Sequence, residues 1–224
     1  MRLVSTAVAA VAVLCTATLA CTAVPSHPLA ARVQAHAALA AEVDRVPAAA
    51  LGATYGPGCP VGPDRLRLIR MNHWGFDGKV HRGELVVHER SVRPLLYVFG
   101  KAFEARFPIR RMRSAAVYGG DDARAMADDN TSAFNCRQVT ADPSRLSRHA
   151  HGEAVDVNPV ENPYVDRQGT ARPPAGRRYL RRDRLTPGMI RPGDVITRAF
   201  EKVGWHWGGG WANPDYQHFS ANGG

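Results

Sequence analysis

The stretch Ala154-Val155-Asp156-Val157-Asn158 limits what this chain can become. Its apolar character predicts a strand, whose successive side chains leave by opposite faces. Val155 and Val157 then point one way, and Ala154, Asp156 and Asn158 the other. In a buried strand a bare carboxylate is costly unless it is paired or binds a metal. The fold must therefore supply Asp156 with a partner, either one of the many arginines or a cation. Two histidines stand nearby in Ser147-Arg148-His149-Ala150-His151-Gly152, and spacing alone does not choose between them.

The chain has 224 residues, 45% of them hydrophobic, enough to bury a core. Residues 1–23 read as an export signal. Arg2 gives the positive start, Ala7 to Leu14 the apolar run, and Ala20 to Ala23 the small residues before cleavage. The run is too short to span a bilayer, and no later stretch is long or apolar enough, so the mature chain is expected to be soluble. Cys15 and Cys21 lie in or beside the signal. Cys59 and Cys136 remain, and in an oxidising compartment a disulfide is their default reading. Thr18-Leu19-Ala20-Cys21 partly resembles a lipoprotein cleavage site. A secreted or wall-associated protein is therefore expected, with a lipid on Cys21 as the lesser alternative.

The formal net charge is +9, and the signal holds only Arg2 of it. A basic exported protein meets polyanions such as wall polymers and phospholipid heads, or it has a solvated basic surface. Arginines and lysines are scattered rather than striped, and no binding motif for nucleic acid appears, so nucleic acid is not expected.

Residues 24–55 are rich in alanine and carry Pro25, Pro28 and Pro47, which reads as a tether with a short helix near 30–44. A domain over 56–224 follows. Strands are expected around 65–70 and over 83–88. Val92, Leu95, Leu96, Phe99, Phe103 and Phe107 recur at helical spacing and predict a helix over 90–106, stopped by Pro108. Ile109, Met112 and Ala115 to Tyr118 suggest a further strand. Two long polar loops, 119–146 and 159–193, are arginine-rich. They flank the Asp156 strand, so they are expected to border a cleft. A second helix fits 193–203, and Asp215 to Ser220 a short strand. His73, His81 and His88 read as core or surface residues. The mixture is α+β, a single domain with a small antiparallel sheet and flanking helices.

An open zinc site uses three protein ligands from His, Asp or Glu. Asp156 and one nearby histidine supply two. Asp215-Tyr216-Gln217-His218 offers His218 as a third, and Pro214 puts Asp215 in the loop entering the strand, so both can reach one site. Asp215 is then a candidate general base.

Ser147-x-His149-x-x-Gly152-x-Ala154-x-Asp156, followed by Asp215-x-x-His218-Phe219, resembles the VanY-like D-alanyl-D-alanine carboxypeptidase and L-alanyl-D-glutamate endopeptidase group. These are zinc peptidases of bacterial peptidoglycan, with a fold shared by the hedgehog signalling domain. Gly204 to Trp211 resembles the endopeptidase branch, with one extra glycine before Trp211. The resemblance implies Zn2+ held by His149, Asp156 and His218, with Asp215 as base and His151 structural. It implies a cation facing the developing oxyanion, for which Arg137 is the candidate. Ser147 would bond a ligand or substrate at the site's edge, and Tyr118 and Asp121 would border the cleft. Trp205, Trp207 and Trp211 are either core or the wall of a substrate groove, with Trp207 the candidate contact. The implied partner is the peptidoglycan stem peptide, whose carboxylates suit the loop arginines, and the enzyme is expected to be a monomer. L-alanyl-D-glutamate endopeptidase is favoured over D,D-carboxypeptidase. A non-catalytic zinc-containing wall-binding module is the rival, and Asp215 argues against it.

Overall fold

The longest alternating apolar run builds the longest hairpin. Leu66–Trp74 pairs antiparallel with Val80–His88, from Leu66 opposite His88 to Trp74 opposite Val80. Both strands are longer than expected. Alternation divides the strand between two cores. Ile69 and Met71 join Leu85 and Val87 on one side, while Leu66 and Leu68 join Val86 on the other. The computed structural model describes residues 38–139 and 142–223. The signal segment, Cys21 and the first part of the expected tether lie outside the described residues.

The last part of that tether is built into the fold. Glu42–Arg45 forms a third strand, antiparallel to Leu66–Trp74, where a helix near 30–44 was expected. Leu51 is fully buried in the second core with Val46 and Phe134. All four residues of the edge strand are exposed, so no apolar period announces it.

The helices expected over 90–106 and 193–203 are present. Val92–Glu104 buries Leu95, Val98, Phe99, Ala102 and Phe103, one stripe at three- and four-residue spacing. Val195–Lys202 packs against it with Ile196, Ala199 and Phe200. The Asp194 carboxylate caps that second helix, accepting from the Thr197 N–H at 2.9 Å. Among the described residues no helix is long and apolar enough to cross a membrane.

Three expectations change. Only Arg111–Met112 is a strand in the region of Ile109 to Tyr118, and Ala115–Tyr118 is a 3-10 turn. The first long loop holds a helix, Asp122–Ala127, and Asn130–Thr131, which pairs parallel with Arg111–Met112. The second holds a small ladder, Tyr164–Val165 with Ala171–Arg172, and a 3-10 helix, Pro174–Tyr179. The result is a mixed α+β fold of several small, mostly antiparallel sheets with few helices.

Another three-stranded sheet brings Asp156 and His218 together. His218–Ser220 lies between His206–Trp207 and Ala154–Asp156, both antiparallel to it. Its register sets His218 directly opposite Asp156, and Phe219 opposite Val155. Phe219 is fully buried and stacks on Phe200 at 3.9 Å between ring centres, which ties this sheet to the helices.

Cys59 and Cys136 are joined, as the leftover pair implied, across 77 residues of sequence. Closing a loop of that length stabilises by about 4 kcal/mol through the unfolded state. The Cys59→Ser, Cys136→Ser double variant should lose stability of that order in denaturant unfolding. Unchanged unfolding would mean that the closed loop contributes nothing.

A buried acidic pair lies outside that sheet. Glu161 is 1% and Asp129 6% exposed. Arg110 reaches both, at 3.6 Å and 3.4 Å, yet Glu161 Oε2 is sealed without a donor. Two facing carboxylates can bond each other only through a shared proton, and burial with Asp129 pushes Glu161 up to about 8. An acid raised in the folded state loses stability as pH rises from near its ordinary value toward 8. Glu161→Gln should therefore raise the melting temperature at pH 8 and change little at pH 4. An equal shift at both would rule out the shared proton.

Candidate metal centre

A tight turn delivers the first ligand. Ser147 Oγ caps the 3-10 turn Arg148–His151 by accepting from the His149 N–H at 3.3 Å. Gly152 ends it with φ +65, and a Cβ there would lie 2.5 Å from the His88 nitrogen, so only glycine fits. The chain then enters Ala154–Asp156, with Val155 fully buried and Asp156 on the opposite face. Ser132 brackets Asp156 from the far side with two backbone hydrogen bonds, 3.1 Å and 2.9 Å.

His149, Asp156 and His218 meet there. His149 Nε2 lies 3.1 Å from Asp156 Oδ2, His218 Nδ1 3.0 Å from Asp156 Oδ1, and the two ring nitrogens are 3.3 Å apart. All three residues are buried. His149 Nδ1 donates to the Ala133 carbonyl at 2.6 Å, which leaves the lone pair on Nε2, facing the other two. Lone pairs converging this closely need a proton or a cation among them. Ligands bound at roughly 2.0–2.1 Å in a tetrahedron stand about 3.3 Å apart, close to the separations found. The three residues could hold a metal ion.

The electrostatics fit that reading. Burial opposes charging of His149, but the Asp156 carboxylate outweighs it, and the ring's pKa is raised. Burial likewise opposes the Asp156 charge, yet His149 and His218 hold that carboxyl well below its usual range. The site favours negative charge on Asp156 and positive charge beside it.

Asp215 sits in the loop entering the His218 strand. Its N–H donates to the Gly208 carbonyl at 3.0 Å, and its carbonyl accepts from the His218 N–H at 3.2 Å. Its Oδ1 is sealed from solvent with no hydrogen-bond partner. Burial and the Asp156 charge push the carboxyl up to about 6, against the pull of His218. Close packing depends on the glycine run before it. A Cβ on Gly208 would lie 2.9 Å from the Asp215 carbonyl oxygen.

The remaining candidates divide. Ser147 serves the site through its cap, where its Oγ accepts and its O–H is left to donate. Arg137 pairs with Asp122 at 2.9 Å, its Nε is buried without a partner, and its charge reaches His149. Tyr118 and Asp121 have partners other than the three ligands. The Tyr118 hydroxyl donates to Asp128 at 2.6 Å, and Asp121 caps the helix Asp122–Ala127. Trp207 packs on Phe219 and donates to the Tyr216 carbonyl at 2.8 Å, while Trp205 is core. Trp211 is the tryptophan at the centre, its ring 5.5 Å from that of His218. Two partners had no sequence signal: the Ala133 carbonyl and Asp122, since neither a backbone acceptor nor one acid among several stands out in a string of letters.

Residues 140–221 match the model of the D-alanyl-D-alanine carboxypeptidase family. The match takes in His149, Asp156, Asp215 and His218. It supports a VanY-like peptidase of this family, and with it the resemblance read from the two motifs. Neither a curated protein nor a solved structure matches the chain. Cys59, Cys136, Arg137 and the long hairpin lie outside the matched residues.

Proposed function

We propose that this chain is an exported zinc peptidase that hydrolyses peptidoglycan stem peptides at the L-alanyl-D-glutamate bond. One observation carries the reading: the buried His149–Asp156–His218 cluster, with the sealed Asp215 carboxyl three residues before its last member. Two histidines and a carboxylate with room for a fourth ligand are a catalytic zinc donor set. Zinc held there supplies a Lewis acid and lowers the pKa of water. Asp215 takes the proton of the attacking water and passes it to the leaving amine, a task suited to a carboxyl raised toward neutrality. Arg137, oriented by Asp122, offers its unpartnered Nε–H to negative charge developing on the scissile carbonyl oxygen. Trp211, whose ring lies beside that of His218, is placed to contact a bound substrate.

The description of the family model favours a second reading, D-alanyl-D-alanine carboxypeptidase. The two differ in product. Metal-loaded protein incubated with pentapeptide muropeptides should release the stem beyond its first alanine. Stoichiometric free D-alanine, with the L-alanyl-D-glutamate bond intact, would select the carboxypeptidase. Cleavage at neither bond would leave the wall-binding module.

A further inference from the structure

The turn that presents His149 has a second face. Arg148 and His151 line a cavity of about 410 Å³ with Arg65, His88, Arg90 and Glu153, and none of the three metal-site residues reaches it. Pro60, Val61 and Gly62 form another wall, directly after Cys59, so the disulfide to Cys136 anchors that side. We infer that this cavity is an anion site that takes a phosphate group, beside the metal centre and separate from it.

Charge comes first. Arg65 and Arg90 line the cavity together with Arg148, and Glu153 is the one carboxylate among its lining residues. Arg65 uses its Nε on Glu89 at 2.5 Å, and Glu89 also takes Arg67 at 2.8 Å. The Arg90 guanidinium, on an exposed residue, forms no ion pair among the described residues. His88 is buried, and its Nδ1 accepts from the Arg90 N–H at 3.1 Å, so the neutral ring carries its proton on Nε2 as a donor. Burial keeps that ring below the usual histidine range, against the pull of Glu153 and Glu89 and with the help of Arg90 and Arg65.

Donor count comes next. The Arg90 guanidinium and the His88 Nε2–H alone offer more N–H donors than the two oxygens of a carboxylate readily take, whereas a phosphate offers more acceptors and suits forked arginine donors. The volume is that of a small-ligand pocket. The site is also tied to the metal-ligand turn. The Gly152 carbonyl accepts from the His88 N–H at 2.9 Å and from Ser91 Oγ at 3.0 Å. A phosphate held here would sit on the reverse of the turn that aims His149. Two sources share this chemistry: free phosphate, and the phosphodiesters of an anionic surface polymer.

The test is a titration of the metal-loaded protein with inorganic phosphate, and separately with a glycerol phosphate oligomer, followed by calorimetry and amide NMR. Saturable shifts are expected at 88–90 and 148–153. Arg65→Gln and Arg90→Gln should each weaken binding about tenfold, the loss of one charge-assisted contact, with metal content and fold unchanged. Tighter binding of the oligomer supports the site and names the polymer as its source. Equal affinity per phosphate supports it with free phosphate as the ligand. Shifts confined to Trp211 and His218, or affinity unchanged in the double arginine variant, would overturn it, and neither readout depends on hydrolysis.

Discussion

His149→Ala and His218→Ala should each leave the protein without its metal and without hydrolysis. The two rings supply separate donor atoms to one point, from a 3-10 turn and from a strand paired opposite Asp156. With one gone, two donors remain. The affinity loss should exceed the roughly 10- to 100-fold that removing only an outer partner of a ligand costs. His149→Ala also removes the largest compensation for the buried Asp156 charge. That carboxyl is held down in the folded state, so its stabilisation is present above the ordinary carboxyl range and lost as pH falls through the depressed value. The variant should therefore be less stable than the parent at neutral pH, with the gap closing in acid. Metal analysis after dialysis and thermal unfolding at two pH values check both parts. Full metal content in both variants would sink the ligand assignment.

Asp156 illustrates what the sequence could reveal. Its place among Ala154, Val155 and Val157 predicted a strand with a carboxylate on one face, and burial then demanded a partner. Short apolar runs also marked part of each hairpin strand, and the two helices over 92–104 and 195–202 showed because each buries one regular stripe. Elements without a stripe were hidden. Glu42–Arg45 is exposed on both faces and is held by backbone pairing and by ion pairs of Glu42 with Arg82 and Asp44 with Arg70, none of which leaves an apolar period. Asp122–Ala127 has six residues, too few for a period, and its Asp121 cap lay in a polar stretch that read as loop. Ala115–Tyr118 looked strand-like, but Ser114 caps it at one end and Gly119 at φ +66 closes it at the other. The tryptophans show the same limit at the site. Trp207 and Trp211 are the same residue type four positions apart, and only packing separates the one on Phe219 from the one beside His218.

Asp215→Asn should do the opposite of the histidine variants: keep the metal and lose the reaction. Asparagine preserves the shape but cannot accept the proton of the attacking water. Loss of a positioned general base typically costs about 10²- to 10⁴-fold in turnover. The same change should leave the fold intact or firmer. Burial and the neighbouring Asp156 charge raise the Asp215 carboxyl to about 6, so in the metal-free protein its ionisation is unfavourable. An acid raised in the folded state costs stability as pH climbs from its ordinary value to the raised one. The metal-free Asp215→Asn protein should therefore unfold at a higher temperature than its parent at pH 7, and at a similar temperature at pH 4. A bound metal cation would offset much of that cost, so the difference should shrink once metal is added. A base and a ligand are thus told apart by two readouts with opposite signs, metal content and neutral-pH stability. Near-normal hydrolysis by a metal-loaded Asp215→Asn protein would move the base to another group.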